Sequence, residues 1–204
     1  MAEGYDYVIV GGGSSGCVLA NRLSENPDAR ILLIEAGGRD KHPLIHMPAG
    51  FAAMTTGPFT WKMKTVPQQH ALNRRIDYVQ AKVLGGGSSI NAEIFTRGHP
   101  DDYDRWASKE GCTGWAFKDV QPYFLKSEDH HAGTSDMHGA GGEWKVTTQR
   151  LSWDILEAVQ EGAKEFGIHP RADFNDGNNE GSGFFEVNQK AGVRWSTATG
   201  FLRP

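Results

Sequence analysis

The stretch Tyr7-Val8-Ile9-Val10-Gly11-Gly12-Gly13-Ser14-Ser15-Gly16 runs four apolar residues straight into a glycine turn. A short apolar run bounded by glycine reads as a strand, and the small residues that follow let a helix begin at once. In the spacing of Gly11, Gly13 and Gly16, the first glycine permits the sharp strand-to-helix turn. The second lets backbone approach a pyrophosphate, and the third lets the helix pack close to the strand. Phosphates at such a terminus are held by unpaired backbone N–H groups and the positive end of the helix macrodipole, so a turn without Lys or Arg still suits an anion.

Working outward, a helix is expected from Ser14 to Ser24, then the loop Glu25-Asn26-Pro27-Asp28, then a second strand, Arg30-Ile31-Leu32-Leu33-Ile34, ending in Glu35. Strand, glycine turn, helix, strand and terminal acid follow one another as a dinucleotide-binding βαβ unit requires. The Glu35 carboxylate suits the hydroxyls of an adenosine ribose and repels a 2′-phosphate, which disfavours NADP.

Composition narrows the remaining classes. Of 204 residues, 38% are hydrophobic and 23% charged, with a net charge of −4. There is no long same-sign run and no apolar stretch of membrane-spanning length, so nucleic-acid and transmembrane roles lose support. Met1-Ala2-Glu3-Gly4-Tyr5-Asp6 lacks a basic leader, and Val8 to Val10 is too short for the apolar part of a signal peptide, which points to a cytoplasmic protein. Cys17 falls in the first helix and Cys112 in a loop-like stretch, so no disulfide is expected.

From His42 to Pro67, Pro43, Pro48, Pro58 and Pro67 break any helical pattern and predict a long covering loop. Met47, Phe51, Met54, Phe59 and Trp61 could form its apolar underside, and Trp61 is the best single candidate for ligand contact. Arg75-Ile76-Asp77-Tyr78-Val79 alternates as a strand does. Ala81-Lys82-Val83-Leu84-Gly85-Gly86-Gly87-Ser88-Ser89-Ile90-Asn91-Ala92 is a second glycine-rich segment, able to line a pyrophosphate or a flavin edge with backbone N–H groups. Helices are expected to start at Pro100 and at Phe117. Another is expected through Leu151, Ile155, Val159, Ala163 and Phe166, with Ser152 as N-cap, Gly167 as stop and the apolar stripe toward a core.

Two metal patterns are weighed and set aside. Asp173 to Gly181 is rich in oxygen ligands but lacks the order of a calcium loop and its terminal acid. His130-His131 and His138 have neither helical spacing nor Cys partners, so no metal ligands are assigned.

Taken together, the GGGSSG turn with Glu35-Ala36-Gly37-Gly38, the Lys82 to Asn91 segment and Thr96-Arg97-Gly98 resemble the glucose-methanol-choline (GMC) oxidoreductases, which are FAD enzymes. Asp102-Tyr103-Asp104-Arg105-Trp106, Pro122-Tyr123-Phe124, His138-Gly139, Arg194-Trp195-Ser196-Thr197-Ala198 and Phe201-Leu202-Arg203-Pro204 extend the likeness from Tyr5 to Pro204. The resemblance implies cofactor contacts at Gly11, Gly13, Ser14, Ser15, Gly16, Glu35, Ala36, Trp61, Val83, Gly86, Ser88, Asn91, Ala92 and Ile94. Ile90 stands where some members carry a flavin-linking histidine, which implies non-covalent FAD. Glu93 departs from the apolar or amide residue common there: beside a flavin it would disfavour the anionic reduced form, and pointing away it would pair with a cation.

The fold so implied is α/β: a Rossmann-like FAD-binding domain with a mixed sheet, plus the beginning of an α+β substrate-binding domain. Residues 1–134 form the FAD-binding domain, with a covering loop at 42–67 and a helical extension at 99–134. Residues 135–192 belong to the substrate-binding domain, and 193–204 return to the first. The family's catalytic base comes from a later part of the fold, so no catalytic residue is assigned. The chain is expected to be incomplete, needing a C-terminal segment or partner chain. The activity implied is oxidation of a small alcohol by hydride transfer to flavin N5. Alternatives are a hydroxynitrile-lyase-like enzyme retaining FAD, a non-catalytic flavin-binding fragment or subunit, and an NAD-dependent dehydrogenase, which leaves Gly85 to Asn91 unexplained.

Overall fold

The computed structural model describes residues 4–203. Met1, Ala2 and Glu3 of the leader comparison, and Pro204, lie outside the described residues. The chain forms two compact units, one comprising the residues up to Glu93 together with those from Val193 onward, the other Ile94–Gly192. By compactness the segment 99–134 groups with 135–192, whereas the resemblance implied a helical extension of the first domain. Amphipathic helices state that they need a partner but not which one, and that freedom explains the difference.

In the first unit, β1 (Tyr7–Val10) pairs in parallel with β2 (Ile31–Ile34) in the register Tyr7 to Ile31 and Val10 to Ile34. Helix α1 (Ser14–Leu23) connects them. The expected covering loop is not structureless: it contains α2 (Pro43–His46), a 3-10 turn at Pro48–Gly50, α3 (Phe51–Met54) and β3 (Thr60–Lys64). Pro43 and Pro48 occupy helix starts, where the missing N–H costs nothing and the fixed φ helps, so prolines that suggested interruption mark beginnings. Strand β3 pairs antiparallel with β4 (Asp77–Ala81), two residues later than the alternation suggested. Ile45, Met54, Val83 and Ile90 make the core, with Leu44, Phe59 and Ala81 packed against it.

The second unit contains β5 (Ile94–Phe95), α4 (Pro100–Lys109), α5 (Phe117–Ser127), β6 (Glu128–His130), β7 (Trp144–Val146), α6 (Asp154–Glu165), β8 (Glu186–Val187) and β9 (Gln189–Lys190). Strands β5 and β8 pair antiparallel, and β6 and β7 in parallel. The stop at Gly167 forms as expected: its φ is +87°, and Ile168 N–H reaches back to Ala163 C=O at 2.9 Å. The start differs, because Trp153 is the N-cap and the Ser152 hydroxyl bonds the Glu157 carboxylate instead. Ile155, Val159 and Phe166 are exposed, the last by 91%, so the α6 stripe is not turned toward a core among the described residues. Periodicity defines an apolar face without supplying its cover.

The chain returns to the first unit through β10 (Val193–Arg194) and α7 (Thr197–Leu202), which packs on α1. Among the described residues no helix is long and apolar enough to cross a membrane. Cys17 and Cys112 are both free, and burial raises the Cys17 thiol above its ordinary value.

Candidate functional site

Strand β1 ends at Gly11, whose φ of +104° is open to glycine and strained for other residues, and Gly11 N–H donates to Ile34 C=O at 2.7 Å. One turn on, a Cβ built on Gly16 would lie 1.9 Å from the Gly11 carbonyl oxygen, so α1 approaches β1 closer than any side chain allows. The helix begins after Gly13 with no side-chain cap and no acidic residue in its first turn. Its N–H groups and dipole are thus left to an anion, and the exposed Ser14 and Ser15 stand beside them.

The second glycine segment docks on this turn. Gly85 N–H donates to Gly12 C=O at 2.7 Å, and a Cβ on Gly86 would fall 2.6 Å from Gly13 Cα. Gly86–Ser89 form a 3-10 turn after Gly85, at φ +87°. Gly13 itself has room: an added Cβ would meet nothing nearer than Gly86 Cα at 3.9 Å. Gly16 and Gly86 are thus pinned by close contact and Gly11 by its positive φ, while Gly13 is held to glycine by nothing inside the protein.

Glu35 bridges the turn to the end of β2, with Oε2 accepting from Gly12 N–H and Oε1 from Gly37 N–H, both at 2.7 Å. A carboxylate has about four lone-pair sites, so two remain for ribose hydroxyls. Gly37 entered the sequence reading only through the resemblance, with no role of its own, yet a Cβ there would collide with the Lys82 carbonyl at 2.2–2.3 Å. Ala36 is exposed beside it.

The other candidates divide. Val83 is buried in the core, leaving only its backbone to contribute. The Ser88 hydroxyl is spent within the protein, on Gly85 C=O at 2.7 Å, Thr197 Oγ1 at 2.8 Å and Thr197 N–H at 3.0 Å. Asn91 Oδ1 accepts from Arg194 Nη1 at 2.8 Å and from Glu93 N–H at 3.1 Å. Ala92 is exposed, and Trp61 is part-exposed on β3 with Lys82 Nζ 4.3 Å from its ring centre. Ile94 belongs to the second unit. Of the two readings of Glu93, the structure shows pairing: Arg194 Nη2 lies 3.2 Å from Glu93 Oε1, both side chains 1% exposed.

Arg194 entered the sequence reading only as part of the resemblance, and its role went unread. It also donates from Nε to Ile45 C=O at 2.7 Å and from Nη1 to Ser88 C=O at 3.1 Å, tying the returning segment to the Ser88–Asn91 stretch. Burial pulls its guanidinium below the ordinary value, and the Glu93 charge opposes that pull.

A glycine-only turn, an uncapped helix start and a second glycine turn seated on it fit a dinucleotide pyrophosphate, and the free lone pairs of Glu35 fit its ribose. The profile of the family described as GMC oxidoreductase matches residues 5–204, and the chain belongs to that family. It is 43% identical over 200 residues to an alcohol dehydrogenase [acceptor] of Pseudomonas putida, which covers 97% of this chain and 36% of that protein. An oxygen-dependent choline dehydrogenase of Sinorhizobium fredii is 39% identical, covering 98% and 36% respectively. Pyridoxine 4-oxidase from Mesorbium loti superimposes with a TM-score of 0.92 at 33% identity, over 98% of this chain and 39% of that one. An FAD-dependent oxidoreductase from Chaetomium thermophilum superimposes with a TM-score of 0.89 at 31% identity, over 97% and 36%. The chain thus spans a little over a third of the length of the relatives it matches.

Proposed function

We propose that this chain is the FAD-binding part of a flavin-dependent enzyme that oxidises an alcohol to a carbonyl compound, with FAD held non-covalently. The observation that carries the proposal is the docking of Gly85–Gly86 on Gly12–Gly13 at the bare N-terminus of α1. Backbone N–H groups of Gly13, Ser14 and Ser15 bind the pyrophosphate, Glu35 takes the adenosine ribose, and the Gly86 to Ala92 stretch lies along the flavin. FAD, when bound, supplies a two-electron acceptor for the hydride of the alcohol carbon. Ser88 and Asn91 orient that stretch through their internal bonds, and Arg194 clamps it from behind.

Non-covalent binding is supported by Ile90, which offers no nucleophile and is 5% exposed within the core. The residues up to Glu93 and from Val193 serve FAD, and Ile94–Gly192 serve the substrate side. The base that takes the hydroxyl proton lies outside residues 5–204, in the further length that the relatives possess, and the setting is cytoplasmic. Titrating the protein with FAD while following flavin fluorescence, then precipitating it with acid, tests this. One equivalent bound and released into the supernatant is expected. Binding of NAD in place of FAD refutes the cofactor, and flavin that stays with the precipitate refutes non-covalent attachment.

A further inference from the structure

The second unit buries much of its charge: Arg97, Glu128, His130, His138 and Glu186 are each at most 8% exposed. Most of it is matched. Arg97 Nη2 pairs with Glu128 Oε2 at 2.9 Å. His138 places Nε2 2.8 Å from Asp173 Oδ2 and Nδ1 3.2 Å from the Glu128 carboxylate, so both ring nitrogens donate and neither has a lone pair to give.

Glu186 is different. His130 Nε2 at 2.9 Å and His131 Nε2 at 2.8 Å both converge on its Oε1, while Oε2 is buried with no hydrogen-bond partner. Two imidazoles crowd one oxygen while the sister oxygen is left bare, a costly arrangement without a cation between them. The rings come together because β6 ends at His130 and the chain turns there, with Gly133 N–H on His130 C=O, leaving their centroids 4.6 Å apart. His130 is further held by stacking on His138, at 3.8 Å and 24°.

We propose that His130 Nε2, His131 Nε2 and the Glu186 carboxylate bind one divalent transition-metal ion, Zn²⁺ fitting best, with its fourth position left to water. One donor atom from each residue lies within 4.8 Å of the others. Two imidazoles and one carboxylate are a zinc donor set, whereas Mg²⁺ and Ca²⁺ call for oxygen ligands throughout. Bonds of about 2.0–2.1 Å in a tetrahedron place ligand atoms roughly 3.3 Å apart, so the cluster opens by about half an ångström to take the ion. His131, with 38% of its side chain exposed, provides both the give and the entry path. Coordination through His130 Nε2 moves the proton to Nδ1, which gives up its long 3.3 Å contact from Ala132 N–H. The ion ties the end of β6 to β8.

The test is a Zn²⁺ titration of the whole chain against a chromophoric chelator, repeated with Co²⁺ to read coordination from its visible absorption. One equivalent is expected, with Co²⁺ showing the intense bands of a four-coordinate site. His131→Ala, whose folding is checked by circular dichroism, is expected to weaken Zn²⁺ binding by about 100-fold or more, and Glu186→Gln to do the same. His70→Ala, at an exposed histidine of the first unit, leaves it unchanged. Absence of saturable Zn²⁺ binding, or binding that survives both substitutions in the second unit, overturns the assignment.

Discussion

Gly13→Ala separates ligand binding from folding at the glycine turn. The backbone at Gly13, φ −76° and ψ −168°, is extended and open to any residue, and the nearest atom to an added Cβ is 3.9 Å away. Replacing glycine by alanine at an N-cap costs about 1 kcal/mol, and the stiffer unfolded chain returns about 0.4–1 kcal/mol. The thermal midpoint should therefore move by no more than about 2–4 °C. A methyl group in front of the helix start displaces a phosphate from one charge-assisted N–H bond, worth about 1.5–3 kcal/mol, or roughly 10- to 100-fold in FAD affinity. Gly16→Ala is the contrast: its Cβ would sit 1.9 Å from Gly11 C=O, far inside van der Waals contact, and should destabilise the fold by about 1–3 kcal/mol or more. Calorimetry on the flavin-free protein and fluorescence titration with FAD read the two effects apart. An unchanged FAD affinity in Gly13→Ala would refute the placement of the pyrophosphate.

Glu35→Gln keeps one acceptor for Gly12 or Gly37 N–H and turns an amide N–H₂ toward the other, so FAD should bind about tenfold more weakly; equal affinity by titration would remove Glu35 from the site. Arg194→Met leaves Glu93 buried without its cation and should cost about 3–5 kcal/mol in urea unfolding, with part regained on adding Glu93→Gln; a loss below about 1 kcal/mol contradicts the clamp. At His138, burial works to lower the pKa, but the bonds from Asp173 and Glu128 outweigh it and leave it raised. Its stabilisation is therefore complete below the free-histidine value of about 6.5 and is lost as pH rises through the folded value, while that of Asp173, whose pKa is lowered, fades as pH falls below about 4. Thermal midpoints across pH should fall on the alkaline side in the wild type and stay flatter in His138→Asn; identical profiles would discount the pair.

The βαβ start was legible because each of its requirements is local. Tyr7 to Val10 pairs with Ile31 to Ile34 as their apolar runs foretold, and Gly11, Gly16 and Glu35 each do something that spacing can express. Legibility faded where the decisive partner is distant. Glycine at 37 is required by Lys82, and Ser88 spends its hydroxyl on Thr197, 109 residues away, so its place in a serine-glycine run suggested a free donor that the fold does not leave. Prolines misled from His42 to Pro67 for a different reason. The same fixed φ that ends one helix opens the next, and a count of prolines does not distinguish the two.

The second unit hid its chemistry most thoroughly. Val146, Phe174 and Val187 are its few buried apolar side chains, and Arg97, Glu128 and His138 are buried as well, which no hydrophobic period announces. His130-His131 lacks the helical spacing and the Cys partners that mark a zinc site in sequence, so nothing in its spacing showed that the two rings can share a ligand. The turn that ends β6 brings them together, and Glu186 arrives on β8, 55 residues later, where its neighbours in sequence give no hint of a metal. A buried carboxylate facing only imidazoles must find positive charge from a proton or from an ion. An ion held there competes with protons for the imidazole lone pairs, so Zn²⁺ should be released as pH falls. Zn²⁺ binding indifferent to pH across the neutral range would therefore place the ion away from His130 and His131.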